Sequence, residues 1–260
     1  MPRVLLGCPT HDGRVHDGCG RALYGSASRQ HQVESLVMQF SLLTTNCNIL
    51  WAMALNRFEA GQLEWFALLH SDVQPEPHWI DKLIAAADEH QADVMTAVIP
   101  IKNHKGLTST AIGDPADEYG KFVRLTMSQV RHPQFPKSFD AQQAVAALGQ
   151  LPEGLRYQAA EPANLLCNTG AMVCRLGKWC DPTRVYFDEV TRFARLNGQW
   201  TPIVRSEDWF FTARAAACGA KVMATTTLQT IHHGTLQFPS DQVWGMPQDV
   251  EGIAQWQALG

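Results

Sequence analysis

The chain has 260 residues, enough for one large domain or two small ones, and 45% of them are hydrophobic, enough for a full core. Charged residues make up only 18% and the formal net charge is −4, which argues against an extended nucleic-acid-binding surface. The 7 cysteines are odd in number and include no CxxC pair, which argues against a disulfide framework or zinc ribbon and for buried thiols in a reducing compartment.

The first element is a buried strand over residues 3–8, ended by Pro9-Thr10. Leu5-Leu6-Gly7 before Cys8 has the form of a lipoprotein cleavage box, but the apolar part is too short for a signal segment. The Gly-rich residues 13–25 read as a loop leading into a short helix near 21–29, followed by a second strand over 33–40. Residues 45–58 predict a helix with Ile49, Leu50, Met53 and Ala54 on one face. Residues 63–69 predict a strand, and 77–90 a helix with Trp79, Ile80, Leu83, Ile84 and Ala87 in one stripe. A further strand is expected over 92–101. Alternation of strand and helix implies a parallel sheet with both faces covered, and ligands bound beyond the carboxyl ends of its strands. No apolar run approaches the length of a membrane span, so the expectation is a soluble, cytoplasmic protein.

From residue 113 to 162 the pattern dissolves into Pro, Gly, Asp and Gln, with a short strand expected at 121–126 and a helix at 141–148. Order returns at "NLLCNTGAMVCR" (164–175). An aromatic-rich loop follows, holding Arg184, Tyr186, Phe187, Arg192, Arg195 and Trp200. A helix is expected over 206–218 and strands over 221–232, with a short tail from Phe238 anchored by Trp244 and Trp256. The division expected is one domain over 1–236, with a nucleotide-binding half (1–112) and an acceptor-binding half (113–236), and a tail over 237–260.

Four stretches could carry chemistry. In His70-Ser71-Asp72 at a strand end, residues i and i+2 of an extended segment point to the same side, so imidazole and carboxylate could reach one cation. The same residues also read as a turn aspartate ahead of a helix with a histidine packed beside it. Glu207 and Asp208 follow Ser206, a plausible N-cap, and sit where the helix dipole favours anions; this is equally a common structural pattern. His232 and His233 end a strand before Gly234, and adjacent strand residues face opposite ways, so one of them can join a given site. Gly170 in "CNTGAMVCR" suggests a close backbone approach, to a ligand or within an ordinary bulge.

The order of these features, namely strand-end Pro-Thr, HxD, NTGxM, Glu-Asp on a helix and strand-end His-x-Gly, resembles the nucleotide-sugar glycosyltransferases of the GT-A fold, in particular the family 2-like group. The resemblance runs from Arg3 to about Gly234 and is weakest in the middle third. It implies an α/β GT-A fold, Rossmann-like, with a mainly parallel central sheet flanked by helices. It implies that Cys8-Pro9-Thr10 with Asp12 holds the nucleotide base, and that His70-Ser71-Asp72 matches the DxD-type metal motif, with a histidine for the first aspartate. Asp72 would be the direct ligand of Mn2+ or Mg2+ and His232 would complete the site, with His70 a third ligand or a contact to ribose or phosphate. Asn168-Thr169-Gly170-Ala171 would shape the donor-sugar and acceptor site. Glu207-Asp208 would be the acidic pair, Asp208 acting as base. In "TTNCN" Cys47 stands where many relatives have arginine, and Asn48 keeps the asparagine. The implied activity is transfer of a hexose-like sugar from a nucleoside diphosphate sugar, UDP-sugar favoured and GDP-sugar second, to an unidentified acceptor hydroxyl with inversion. Two other readings use the same residues: a metal-dependent hydrolase built on His70, Asp72 and His232, and a GT-A domain that binds sugar nucleotides without turnover.

Overall fold

The computed structural model describes residues 3–113, 122–156, 163–196, 198–234 and 236–243. In chain order the elements are β1 (Arg3–Thr10), α1 (Asp17–Tyr24), β2 (Gln32–Gln39), α2 (Leu43–Glu59), β3 (Trp65–Leu69), β4 (Val73–Pro75), α3 (Trp79–His90) and β5 (Val94–Ala97). They continue with β6 (Leu107–Gly113), β7 (Phe122–Thr126), α4 (Met127–Val130), β8 (Ser138–Phe139), α5 (Ala141–Gln150), β9 (Asn164–Leu166) and β10 (Ala171–Arg175). The last are β11 (Val190–Leu196), β12 (Gln199–Arg205), α6 (Glu207–Ala217), β13 (Val222–Thr225), β14 (Thr230–His233) and β15 (Gln237–Pro239).

Among the described residues, seven strands form the central sheet in the order β2-β1-β3-β10-β5-β13-β8. β2, β1 and β3 pair parallel, as do β5 and β13, while β10 runs antiparallel between β3 and β5 and β8 antiparallel to β13. This is the mainly parallel α/β sheet, flanked by helices, that the sequence predicts. The run Trp65-Phe66-Ala67-Leu68-Leu69 in β3 is apolar throughout because both faces are covered. Phe66 and Leu68 join the core under α2, α5 and α6, whereas Trp65, Ala67 and Leu69 join the core under α1 and α3. α3 starts from His78, held at φ 61° with its N–H donated to the Ser26 carbonyl at 2.6 Å. Its stripe Trp79, Ile80, Leu83, Ile84 and Ala87 is buried on the sheet.

Several boundaries differ from expectation. α1 begins earlier than the predicted 21–29, because His16 Nδ1 accepts from the Gly18 N–H at 3.3 Å and caps the helix there. The strand expected over 92–101 covers Val94–Ala97, and Pro100 forms only an isolated bridge with Thr108 on the unforeseen β6. The stretch expected as an aromatic loop contains a hairpin, β11–β12, with Arg195 opposite Trp200 and Phe193 opposite Pro202. Phe187, just before it, is core. Trp244 and Trp256, and residues 114–121 and 157–162 of the expected acceptor half, lie outside the described residues. Among the described residues no helix is long and apolar enough to cross a membrane.

Candidate active site

Strand register assembles the site. β10 lies antiparallel beside β3 with Ala171 opposite Leu69, so Asn168, Thr169 and Gly170 arrive next to His70, whose N–H donates to the Gly170 carbonyl at 2.9 Å. A Cβ on Gly170 would lie 2.5 Å from Asn168 Oδ1 and 3.2 Å from His70 Nδ1. Glycine is what lets this segment approach so closely.

Behind it stands the first turn of α6. Ser206 occupies the N-cap position but makes no side-chain cap bond. Thr169 Oγ1 donates to Asp208 Oδ1, and Asn168 Nδ2 donates to Asp208 Oδ2 at 2.9 Å. His70 Nε2 lies 3.7 Å from Asp208 Oδ1. Asn168 is itself fixed, because its Oδ1 accepts the Gly170 N–H at 2.6 Å. The Asp208 carboxylate is therefore held from both oxygens. The neighbouring Glu207 carboxyl is pushed up to about 7, first by burial and then by the Asp208 charge. Because the folded protein holds this proton more tightly than the unfolded chain, stability falls as pH rises from about 4.5 to about 7. Glu207→Gln removes that dependence. Its melting temperature relative to wild type is expected to be higher at pH 8 than below pH 4.5, as thermal denaturation at the two pH values will read.

A second cluster forms where β14 pairs with β4. His232 stands opposite Val73, and the His233 N–H donates to the Asp72 carbonyl at 2.8 Å. This places His232 Nε2 3.6 Å from Asp72 Oδ2. The 2.7 Å contact of His232 Nδ1 with the Pro100 carbonyl assigns a proton to Nδ1 and turns Nε2 toward Asp72. Lys102 Nζ sits 2.5 Å from the same Asp72 oxygen. Burial pushes the Asp72 carboxyl up, but the His232 imidazole and Lys102 ammonium outweigh it and hold the group well below the usual carboxylate range. His233 faces away from this pair, stacked on His16 with ring centres 3.5 Å apart and bonded to Gln74 at 2.9 Å. Burial and His16 push its imidazole down.

The remaining expected residues are placed as follows. Pro9 and Thr10 end β1; Asn46 Nδ2 donates to the Thr10 carbonyl at 2.7 Å, and Thr10 Oγ1 accepts the Gly13 N–H at 3.0 Å. Asp12 accepts the Arg14 N–H at 3.0 Å in an exposed turn. The Ser71 carbonyl accepts the His16 N–H at 2.9 Å. Asn48 is not brought to either cluster: its amide donates to the Phe187 carbonyl at 2.7 Å and accepts the Phe187 N–H at 2.8 Å, pinning the 185–187 loop to α2. Cys47, its neighbour in α2, is fully buried.

Two cations were missed from sequence. Lys102 lies in "IPIKNHKG", a stretch without periodicity, just past β5. Arg124 stacks over Trp209 at 4.3 Å and donates to the Thr108 carbonyl at 3.2 Å; burial pushes its guanidinium down to about 10, against the opposing pull of Asp208.

The residues at hand do not fit a resident divalent cation. Asp72 and His232 supply two donors, but the carboxylate oxygen that faces the imidazole already carries an ammonium. Among the described residues no group of three His, Cys, Asp or Glu side chains is placed to hold a metal ion.

No protein-family model matches the sequence, and no curated protein matches it. Among solved structures, A197 from STIV is similar over 94% of this chain and 93% of that one, with 12% identity and a TM-score of 0.52. The TarS 1–349 chain of S. aureus, also solved in complex with UDP and with UDP-GlcNAc, is similar at 12% identity with TM-scores of 0.43–0.44. This chain spans 58% of the TarS 1–349 chain in its first two structures. The likeness to A197 is one of fold.

Proposed function

We propose that the protein is a GT-A glycosyltransferase of the family 2-like group, moving a sugar from a nucleoside diphosphate sugar to an acceptor hydroxyl with inversion. One observation carries this reading. Asp208 and His232 come from segments far in sequence from His70-Ser71-Asp72. Yet His70 and Asp72 directly follow β3, with Asp208 beside the one and His232 beside the other. Strand ends of this kind are where open α/β sheets bind their ligands.

The chemistry divides between the two clusters. At the first, Asp208 takes the proton from the acceptor hydroxyl as that oxygen attacks the anomeric carbon opposite the leaving group. Thr169 and Asn168 orient its oxygens, and burial and the Asp208 charge push the neighbouring Glu207 carboxyl up to about 7. At the second, the nucleoside diphosphate departs, its developing charge met by the ammonium beside Asp72. The base of a UDP-sugar, or next of a GDP-sugar, would lie against Pro9-Thr10 at the end of β1. Mn2+ or Mg2+ would find Asp72 and His232 as donors only once Lys102 had moved aside, so no step is assigned to a metal.

The test is a panel of UDP-, GDP-, CDP- and dTDP-sugars, each incubated with the protein and candidate glycan acceptors, with nucleoside diphosphate release as readout. Release from one donor class is expected. A hydrolase built on His70, Asp72 and His232 would leave every nucleotide sugar intact. A binding domain without turnover would be stabilised against heat by one of them and release nothing. Either result ends the transferase reading.

A further inference from the structure

We infer that Lys102 is the resident cation of the diphosphate subsite, so that the protein binds its nucleotide without a divalent metal. The inference rests on the transferase reading and goes past it in naming the group that meets the phosphates.

Three observations support it. First, the ammonium stands 2.5 Å from Asp72 Oδ2, with His232 Nε2 3.6 Å from that same oxygen. An ammonium has three N–H donors, so one can bind Asp72 while two remain for phosphate oxygens. Second, the position is built into the backbone. A Cβ on Gly234 would lie 2.9 Å from Lys102 Cδ and 3.4 Å from its Cγ, so the glycine that follows the two histidines makes room for the lysine stem. Third, the pair is open on its outer side, with the Lys102 and Asp72 side chains 39% and 37% exposed, so an incoming diphosphate can reach it. Asp72 then positions the ammonium, and His232, anchored through Nδ1 to Pro100, flanks it.

A consequence separates this arrangement from a metal site. Removing the lysine uncovers the Asp72 carboxylate and His232 Nε2 together. The variant should therefore acquire the metal dependence that the wild type lacks.

The experiment is calorimetric titration of UDP, GDP, CDP and dTDP into the full chain, in EDTA and again with excess Mn2+. Wild type, Lys102→Met and Gly234→Ala are compared, each first checked for an unchanged melting temperature. The expected result is one nucleotide binding the wild type with the same affinity, within about twofold, in both conditions. Lys102→Met should bind it at least ~10-fold more weakly in EDTA and recover with Mn2+, at about 1.4 kcal/mol per tenfold. Gly234→Ala, which displaces the ammonium without removing its charge, should weaken binding in EDTA by a smaller factor. Wild-type binding that needs Mn2+, or Lys102→Met binding in EDTA as tightly as wild type, overturns the assignment and leaves the transferase reading standing. Binding of no nucleotide in either condition overturns both.

Discussion

Asp208→Asn should retain nucleotide binding and lose about 10²–10⁴ in kcat, the range of a single general base. The substitution is nearly isosteric, and its hydrogen bonds can be re-made. The new amide oxygen can keep the bond from Asn168 Nδ2, whose orientation is locked because Asn168 Oδ1 already accepts the Gly170 N–H. The new NH2 then faces Thr169 Oγ1, a hydroxyl that can accept as readily as it donates. Stability should therefore change by no more than about 1 kcal/mol. What disappears is the capacity to take a proton. Nucleotide affinity should stay within a few-fold of wild type, because the proposed diphosphate subsite is at Lys102 and not on α6. Steady-state kinetics with titration of the nucleotide separates the two effects. Transfer that survives the substitution removes Asp208 as base.

Phe211→Ala should cost about 3–5 kcal/mol of stability, the usual range for emptying a large aromatic site. Phe211 is fully buried one helical turn beyond Asp208. It stacks on Phe187 with centres 4.3 Å apart and meets Trp51 edge-on at 5.3 Å. The same loop is fastened to α2 by the paired Asn48–Phe187 bonds and by Trp51 Nε1 donating to the Val185 carbonyl at 2.9 Å. Rigid aromatics around the site cannot close over the cavity, which places the loss toward the upper end of that range. Because α6 carries Glu207 and Asp208, the variant should also turn over more slowly at temperatures where it remains folded. Denaturant unfolding measures the first effect. A loss below about 1 kcal/mol would contradict the packing account.

The central sheet was legible because its signals are local. The apolar run of β3 and the stripe on α3 each report burial within one element. The hairpin β11–β12 could also have been read: Asn197-Gly198 separates two runs rich in β-branched and aromatic residues, and Gly198 takes φ 80°. β4 and β8 were not legible, since strands of three and two residues show no periodicity. The site divides in the same way. Asp72 and Asp208 stand in short motifs that mark themselves, whereas the adjacency of His232 to Asp72 was expected only from the family resemblance and is realised by the β4–β14 register, which no spacing encodes. Lys102 was invisible for the same reason: it matters only because tertiary structure sets it against Asp72. Asn48 shows the reverse, a residue whose motif pointed to a ligand and whose amide is spent on the Phe187 backbone.

The most direct test is a crystal structure with the nucleoside diphosphate that binds most tightly, grown in EDTA. The account predicts a pyrophosphate oxygen within hydrogen-bonding distance of Lys102 Nζ and the base against Pro9-Thr10. A nucleotide bound elsewhere on the molecule, with the Lys102–Asp72 pair untouched, would contradict it.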